Sequence, residues 1–493
     1  MTPEDADRGG SDPEHLESND DTAENDDSSF ETVVARIGER VDPDDDEREA
    51  LREAATALIE RAESAATERC PEADVLQVGS TARDTWISGD RDIDIFVRFP
   101  PDLERDTLEE YGLEVGHETL PDGHEEYAEH PYVKGIFDGF DIDVVPCFRL
   151  ESATDIRSAV DRTPFHTQYL NERLDDNLAA EVRVTKQFAK GIGVYGSDLR
   201  TQGFSGYLTE LLVCEYGGFR PLLEAASDWK PPIWLDPEGH ERASETASPP
   251  RTPEVENGDP PFDDPLVVID PTDPERNVAA VCSVENVARF QHYARKMLES
   301  PSLSLFEPHE PAPLEDDALE AHLTNRATTP VAVRFEAPDL VEDQLYPQLR
   351  KSLEGVTDKL DAYGFDVFRA TTFADETAVI FAELAVTERP ALERHDGPPV
   401  HVRNHAEGFF EAYADDPDAY GPFIEDDRYV TEREREFTTA LEFLESDRLL
   451  DVGLGAHVET ALEDEYDVLV GEEIIGLLAE FDRELARYYD PRP

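Results

Sequence analysis

The stretch from Val78 to Phe99, VGSTARDTWISGDRDIDIFVRF, decides the fold of the N-terminal part of the chain. A short apolar strand leads into a Gly-Ser turn, a polar segment follows, and the stretch closes on a second strand, Asp92 to Phe99. Side chains alternate between the two faces of a strand. Asp92 and Asp94 therefore share one face, and the apolar residues that alternate with them share the core face.

Two carboxylates side by side on a strand repel each other, and a hard cation resolves that repulsion. Mg²⁺ is bound in proteins by one or two carboxylates together with substrate phosphates. The turn at Gly79-Ser80 offers backbone N–H groups and a hydroxyl to a phosphate. The pattern therefore favours a metal-assisted nucleotidyl transfer site at Asp92 and Asp94. The alternative is an ordinary acidic edge strand in a very acidic protein.

A third carboxylate is expected from the segment Phe140 to Cys147. Asp138-Gly139 predicts a hairpin turn before it, and alternation puts Asp141 and Asp143 on one face. We expect this strand to lie antiparallel to the Asp92 strand and to bring Asp143, which lies deeper in the strand than Asp141, to the metals. Such a set suits two-metal displacement, in which one ion activates the attacking hydroxyl and the other stabilises the leaving oxygen.

The chain is strongly acidic. Its 493 residues carry a formal net charge of −71, and only seven of the 44 basic residues are lysine. At molar salt the Debye length falls to roughly 3 Å, so long-range repulsion largely vanishes. We interpret the acidity as adaptation to a salt-rich cytoplasm, with binding of cationic ligands as the alternative. The charge therefore does not exclude a nucleic-acid substrate.

Targeting and redox features are absent from the sequence pattern. No run of 18 or more apolar residues predicts a membrane span, and the acidic N-terminus lacks the apolar region of a secretory signal. The four cysteines are far apart and form no CxxC pair. Free thiols without a zinc site are expected, in a reducing compartment.

The segment from Ala179 to Ile192 is predicted to be a helix with Lys186 and Lys190 on one face, at i,i+4 spacing. Two of only seven lysines lie together here, which favours triphosphate binding. The alternative is a solvated helix face. Tyr195 follows at the helix end, where its ring could stack on a base or ribose, or be an ordinary half-buried tyrosine.

These residues and several further motifs resemble one family. The chain resembles the polymerase-β-type nucleotidyltransferases and, more narrowly, the archaeal (class I) CCA-adding enzymes. The resemblance covers most of the chain from about residue 30 onward. The motifs that carry it are Gly79-Ser80 with Arg83, Asp92-Ile93-Asp94, Asp143 to Cys147, Ser158 to His166, Lys186 to Lys190, Gly193 to Gly196, Gly203 to Leu208 and Asp270 to Ala280.

The resemblance implies template-independent addition of C, C and A to the 3′ end of tRNA, and repair of damaged ends. It implies that two Mg²⁺ ions are held by the three aspartates named above. The residues that would bind the incoming CTP or ATP are Ser80, Arg83, His166, Lys186 and Tyr195. Arg276 is the candidate for choosing between cytosine and adenine, and its alternative is a salt-bridged loop arginine.

The implied partners are the acceptor arm and 3′ end of tRNA, in the cytoplasm and without a membrane. Monomer and homodimer both stay open. Two alternative functions also stay open. One is a poly(A)-polymerase-like transferase that adds only AMP, and the other is a catalytically silent RNA-binding scaffold.

The expected fold is α+β with several domains. A disordered acidic tail (1–28) precedes a polymerase-β-like nucleotidyltransferase head (29–165). A mainly helical central domain (166–300) follows, with a surface insertion at 236–264 that is rich in Pro, Glu and Ser. The C-terminal region (301–493) is expected to bind the acceptor arm.

The C-terminal region is expected to contain an RRM-like or ferredoxin-like platform with extra helices. Its elements follow a β-α-β-β order, although the aromatic signature of RRM domains is missing. The predicted strands are Pro330 to Phe335, Phe365 to Thr371 and Ala378 to Val386, and the predicted helices are Glu342 to Tyr363, Arg433 to Leu444 and Gly471 to Tyr488.

Overall fold

The structure is a computed structural model that describes residues 29–127, 129–240 and 262–493. The tail predicted over 1–28 lies outside the described residues, as does most of the predicted insertion at 236–264. Two compact units are present. Of the described residues, the first unit holds those from 29 to 309 apart from 198–201, and the second holds 310–493 with 198–201.

The first unit contains sixteen helices and strands within the described residues. In chain order they are α1 (Phe30–Val41), α2 (Asp45–Arg69), β1 (Asp74–Val78), β2 (Asp92–Phe99), α3 (Arg105–Thr119), β3 (His124–Tyr127), β4 (Pro131–Phe137), β5 (Phe140–Phe148), α4 (Thr163–Asn171), α5 (Asp176–Gly191), α6 (Gly206–Tyr216), α7 (Phe219–Ser227), β6 (Ile233–Leu235), β7 (Leu266–Asp270), β8 (Asp273–Asn277) and α8 (Val284–Glu299).

The first two helices begin where the sequence supplies a cap. The Ser29 side chain accepts from the Thr32 backbone N–H at the start of α1. Asp44 and Glu47 form a capping box at the start of α2. Each cap satisfies backbone donors that a helix N-terminus otherwise leaves unpaired.

A five-stranded sheet forms the first layer, in the order β1-β2-β5-β4-β3. The hairpin turn predicted at Asp138-Gly139 is present, and both residues have positive φ, as a two-residue turn of this kind requires. The predicted antiparallel pairing of β2 with β5 is wrong, because the two strands are parallel. The chain crosses back through α3 before the β3-β4-β5 meander, and such a crossover lets two strands run in the same direction.

The core face of this sheet is the one that alternation predicts. Ile93, Ile95, Val97 and Phe99 are all buried and pack with the apolar residues of α2 and α3. The other face of β2 carries Asp92 and Asp94, followed by Phe96, which packs in a smaller apolar cluster with Val145 and Cys147.

A second core in this unit is mainly helical. It is built from α4 to α8 with the small sheet β6-β7-β8. Helix α1 also belongs to this core, although it precedes the five-stranded sheet in the chain. The Phe30 ring stacks on Phe219 at 5.9 Å, and Arg40 pairs with Glu307.

The second unit contains thirteen helices and strands. They are α9 (Asp316–Arg326), β9 (Thr329–Glu336), α10 (Glu342–Tyr363), β10 (Val367–Ala374), β11 (Thr377–Leu384), β12 (Leu392–Pro399), α11 (Arg403–Tyr413), β13 (Ala419–Glu425), β14 (Arg428–Glu434), α12 (Ala440–Leu444), α13 (Ala456–Asp464), β15 (Tyr466–Val470) and α14 (Leu478–Tyr489).

The main sheet of this unit has the order β10-β11-β9-β15, with every neighbouring pair antiparallel. The first elements of this unit's sheet, β9, α10, β10 and β11, follow the predicted β-α-β-β order. The helix predicted from Arg433 to Leu444 is wrong in its first half. There Arg433 and Glu434 end β14, which pairs with β12 and β13 in a separate three-stranded sheet, and 435–439 are not helical. Pairing across strands outweighs the weak local pattern of this highly charged segment. No helix in the described part of the chain is long and apolar enough to cross a membrane.

Candidate active site

The turn after β1 lies directly against one of the aspartates. Gly79 has a φ of +76°, and a Cβ built on it would lie 2.0 Å from Asp94 Oδ2. Only glycine leaves room here and adopts this backbone conformation without strain. Ser80 then precedes a single 3-10 turn over Thr81–Arg83, and its hydroxyl makes no capping hydrogen bond.

Four aspartates lie on the same face of the two central strands. In the parallel register Asp92 pairs with Asp141, and Asp94 pairs with Asp143. Burial raises the pKa of Asp94 to about 7, and the negative charges of Asp143 and Asp92 act in the same direction. Burial also raises the pKa of Asp92 and that of Asp143. The predicted carboxylates therefore share one face, although their strands are parallel rather than antiparallel.

The donor set on this face fits a hard divalent cation. Asp143 Oδ1 is buried and accepts no hydrogen bond from the described residues. Lys134 Nζ lies 3.6 Å from this oxygen. Within the described ranges, no group of three or more His, Cys, Asp or Glu side chains is already close enough together to hold a metal ion. Because the carboxylates repel one another, a cation would have to draw them together.

A buried charge cluster lies behind the turn. Lys186 is 2% exposed and Glu210 is fully buried. Lys186 Nζ donates to Glu210 Oε1 at 2.9 Å, and Arg83 Nη2 lies 2.7 Å from Glu210 Oε2. Burial opposes ionisation of Glu210, but Lys186 and Arg83 outweigh it and lower the pKa of Glu210 to about 2. Arg83 and Lys186, two predicted nucleotide-binding residues, are thus joined through one carboxylate.

Lys186 and Lys190 of α5, which their i,i+4 spacing puts on one helix face, do not form a shared exposed surface. The solvated-face alternative is wrong for Lys186, which is buried. Lys190 instead pairs with Asp90 at 3.1 Å, and its Nζ lies 5.5 Å from the centre of the Tyr195 ring. Tyr195 forms an isolated bridge with Phe204 and is mostly buried.

A second buried carboxylate organises His166 and Arg276. Asp270 Oδ2 lies 2.8 Å from His166 Nε2 and 2.8 Å from Arg276 Nη1. Thr272 donates its N–H and its hydroxyl to Asp270 Oδ1. Burial lowers the pKa of His166 below its usual range. The Tyr207 ring stacks on His166 with 3.8 Å between centroids.

The structure thus brings the predicted residues together in three groups. Arg276 is salt-bridged, as its alternative interpretation held, but it lies on strand β8 rather than in a loop. Sequence reasoning missed Lys134, Glu210 and Asp270. Lys134 could have been found from the scarcity of lysine, and Asp270 lies in a motif that had been quoted. Glu210 gave no signal, because it lies inside an apolar helix.

The geometry of the turn and the paired aspartates is that of a nucleotidyltransferase, and a family model described as "Nucleotidyltransferase domain" matches residues 59–166. Two further models match later parts of the chain. They are "tRNA nucleotidyltransferase, second domain" over residues 180–307 and "CCA-adding enzyme, C-terminal domain" over residues 326–471.

Curated relatives extend this similarity to the whole chain. The CCA-adding enzyme of Haloarcula marismortui is 57% identical and covers 94% of this chain and 99% of its own length. That of Halobacterium salinarum is 58% identical and covers 93% and 98%. The chain belongs to the family of CCA-adding enzymes. Both relatives come from halophiles, which agrees with the interpretation of the acidic composition.

Among solved structures, the Cid1 poly(U) polymerase with Mg 3′-dATP bound is 14% identical to this chain. The match covers 57% of this chain and 99% of the other, with a TM-score of 0.42.

Proposed function

We propose that this chain adds C, C and A to the 3′ end of tRNA from CTP and ATP, with Asp92, Asp94 and Asp143 as the catalytic carboxylates. The observation that carries the residue assignment is the register of β2 and β5, which pairs Asp94 with Asp143 directly beneath the Gly79 turn. Asp143 Oδ1 accepts no hydrogen bond from the described residues, and this free acceptor supports the assignment further.

The same three aspartates would hold two Mg²⁺ ions, since carboxylate oxygens are the ligands that Mg²⁺ prefers. Such ions, when bound, activate an attacking hydroxyl and stabilise the leaving oxygen of a displacement. The bond that forms joins the RNA 3′-oxygen to the α-phosphorus. The bond that breaks releases pyrophosphate, and the hydroxyl proton passes to solvent.

The incoming nucleotide would be bound by Ser80, Arg83, His166, Lys186 and Tyr195. Ser80 and Arg83 flank the turn beside the catalytic carboxylates. Cationic side chains attract a triphosphate, and each charge-assisted hydrogen bond is roughly twice as strong as a neutral one. The Arg83 side chain is held in one position by Glu210 and Thr167, and this fixed position supports the assignment.

Arg276 would contribute to the choice between cytosine and adenine. Its guanidinium is 34% exposed, while its Asp270 partner is fully buried. One side of the guanidinium is therefore held, and the remaining N–H groups can reach a base edge. Hydrogen-bonded recognition of this kind discriminates strongly, because a wrong base leaves buried groups unpaired.

The substrate would be a tRNA, recognised at its acceptor arm by the C-terminal region. The match of residues 326–471 to the C-terminal domain of CCA-adding enzymes supports this. A double-stranded arm is read mainly by shape and backbone, because the deep groove of A-form RNA hides the bases.

The test supplies the purified full chain with tRNA that ends before CCA, Mg²⁺ and molar KCl. Extension is followed on a sequencing gel with CTP alone, ATP alone and both. Two additions with CTP and a third only with ATP present are expected. A ladder of A residues would instead favour the poly(A)-polymerase-like alternative, and no extension by folded protein would favour the silent scaffold.

A further inference from the structure

Glu210 lies on α6 with a side chain that is fully buried, and all its hydrogen bonds come from three residues. Oε2 accepts from Arg83 Nε at 3.0 Å, and Arg83 Nη2 lies 2.7 Å from the same oxygen. Oε1 accepts from Lys186 Nζ and from the Thr85 hydroxyl. A buried carboxylate is costly unless such partners satisfy it, and here each oxygen has a cationic partner.

The partners of Glu210 come from different parts of the first unit. Arg83 and Thr85 lie in the turn segment next to the five-stranded sheet, whereas Lys186 lies on α5 in the helical core. Lys186 Nζ also donates to the Thr85 carbonyl at 3.0 Å and contacts its hydroxyl at 3.2 Å. All three ammonium donors are therefore engaged, and the turn is attached to the helical core through one carboxylate.

We propose that Glu210 is a positioning residue for the nucleotide site, and this inference rests on the proposed function. Its carboxylate holds the Arg83 guanidinium and the Lys186 ammonium side by side, where their like charges would otherwise drive them apart. An incoming CTP or ATP then meets an ordered Arg83 guanidinium, with the buried Lys186 ammonium fixed behind it, so less side-chain freedom is lost on binding. Glu210 itself does not touch the nucleotide.

A second buried glutamate offers a matched control. Glu383 in the second unit is also fully buried. It accepts from Arg326 Nε and Nη2, both at 2.7 Å, and from the hydroxyls of Thr328 and Tyr488. The chemistry matches that of Glu210, but none of these partners is a predicted site residue.

The experiment compares Glu210→Gln with Glu383→Gln in the full chain. Titration calorimetry in molar KCl with Mg²⁺ measures the Kd for CTP and for ATP, and thermal unfolding monitors stability. We expect Glu210→Gln to raise both Kd values about 10- to 100-fold, the effect of losing a charged hydrogen-bond partner. Glu383→Gln should lower the unfolding temperature about as much as Glu210→Gln does, yet leave both Kd values within about twofold of wild type.

Turnover separates positioning from general damage. With saturating nucleotide, Glu210→Gln should keep kcat within about threefold of wild type, because it removes ground-state binding. A fall in kcat with unchanged Kd values would overturn the proposal, as would Kd values equal to those of wild type. Failure of the wild-type chain to bind CTP or extend tRNA would instead overturn the proposed function.

A second variant protects the test if Glu210→Gln alone does not fold. Lys186→Met combined with Glu210→Gln removes both members of a buried pair, which proteins tolerate better than loss of one. Relative to Lys186→Met alone, the double variant should raise the Kd for CTP at least about threefold through the loosened Arg83. Glu210→Gln should raise the Kd for CTP less when Lys186 is already Met than when Lys186 is present. Equal Kd values for the two variants would overturn the proposal.

Discussion

Two sets of acidic side chains lie in the first unit, and their electrostatics are opposite. On the sheet face, burial and mutual repulsion raise the pKa of Asp94 to about 7. Behind the turn, burial acts the same way on Glu210, but Lys186 and Arg83 outweigh it and the pKa falls to about 2. Asp270 behaves like Glu210. Burial acts to raise the pKa of Asp270, but His166 and Thr272 outweigh it and lower that pKa.

The contrast separates a reactive set from a supporting one. Carboxylates with too few protein cations nearby repel one another, and a bound metal ion relieves this repulsion. Such arrangements are typical of active sites. Carboxylates matched by cations and hydroxyls rigidify their surroundings instead. The cations and hydroxyls near each carboxylate therefore distinguish the two kinds of site, together with the complete burial of Glu210 and Asp270.

The strongest test of the contrast is Asp143→Asn. We expect turnover to fall at least about 1000-fold while the fold is kept, because the amide loses the charge that a divalent cation requires. Extension of tRNA ending before CCA measures it. Asp141→Asn is the matched control on the same strand face, and it should change turnover less than about tenfold. If the two variants exchange these effects, Asp141 belongs in the reactive set instead.

Gly79→Ala tests how closely the turn and the reactive set fit. The new Cβ would meet Asp94 Oδ2, so we expect about a 100-fold loss of turnover from displaced geometry. Gly89→Ala is the control, because Gly89 also has positive φ but has open space around it. Equal losses in the two variants would mean that backbone strain, not the contact with Asp94, accounts for the effect.

Asp270→Asn tests the supporting set. Arg276 and His166 would lose a charged acceptor. We therefore expect the preference for the correct nucleotide, CTP on tRNA ending in C and ATP on tRNA ending in CC, to weaken about tenfold. Single-nucleotide incorporation on tRNA ending in C or CC measures it. Asp264→Asn, whose carboxylate accepts from Asn277 instead, should leave the preference unchanged. If Asp270→Asn leaves the nucleotide preference unaltered, Arg276 does not contribute to the choice of base.

The smallest effect expected is a gain in stability. The pKa of Asp94 is raised to about 7 in the folded chain but lies near 4 in an unfolded one. Between these values the folded chain holds a proton that the unfolded chain has lost, so stability falls as the pH rises. Without metal, Asp94→Asn should therefore raise the free energy of unfolding by about 1 kcal/mol at pH 8.

This gain should shrink as the pH falls toward 4, since the wild-type carboxyl is then protonated in the folded state. Thermal unfolding in EDTA and molar KCl at both pH values measures it. Mg²⁺ should reverse the order at pH 8 by stabilising only the wild type. A gain that is equal at both pH values would contradict the raised pKa.

The sequence predicted well wherever a local pattern determines the structure. Alternation in β2 placed Asp92 and Asp94 opposite Ile93 and Ile95, and the Asp138-Gly139 turn predicted its hairpin. The direction of β5 against β2 was not predictable in this way, because it depends on the crossover through α3. Pairing across strands decides that direction, and no single segment encodes it.

The supporting residues were hidden for a different reason. Glu210 lies within an apolar helix, and its partners are 24 and 127 residues away in the chain. Strands β12 to β14 carry many charges and little alternation, so their pairing could not be inferred locally. Contacts between distant segments explain both omissions.

Helix α1 bears on how the chain folds as it leaves the ribosome. Its apolar residues Phe30, Val33, Ile37 and Val41 pack into a core completed by Phe306. At about 5 to 20 residues per second, synthesis needs roughly 10 to 50 s to reach that residue. The five-stranded sheet ends at Phe148 and can therefore form before α5 and α7, which pack on α1, have been synthesised. Chaperones that bind nascent amphipathic helices would therefore find a target at α1.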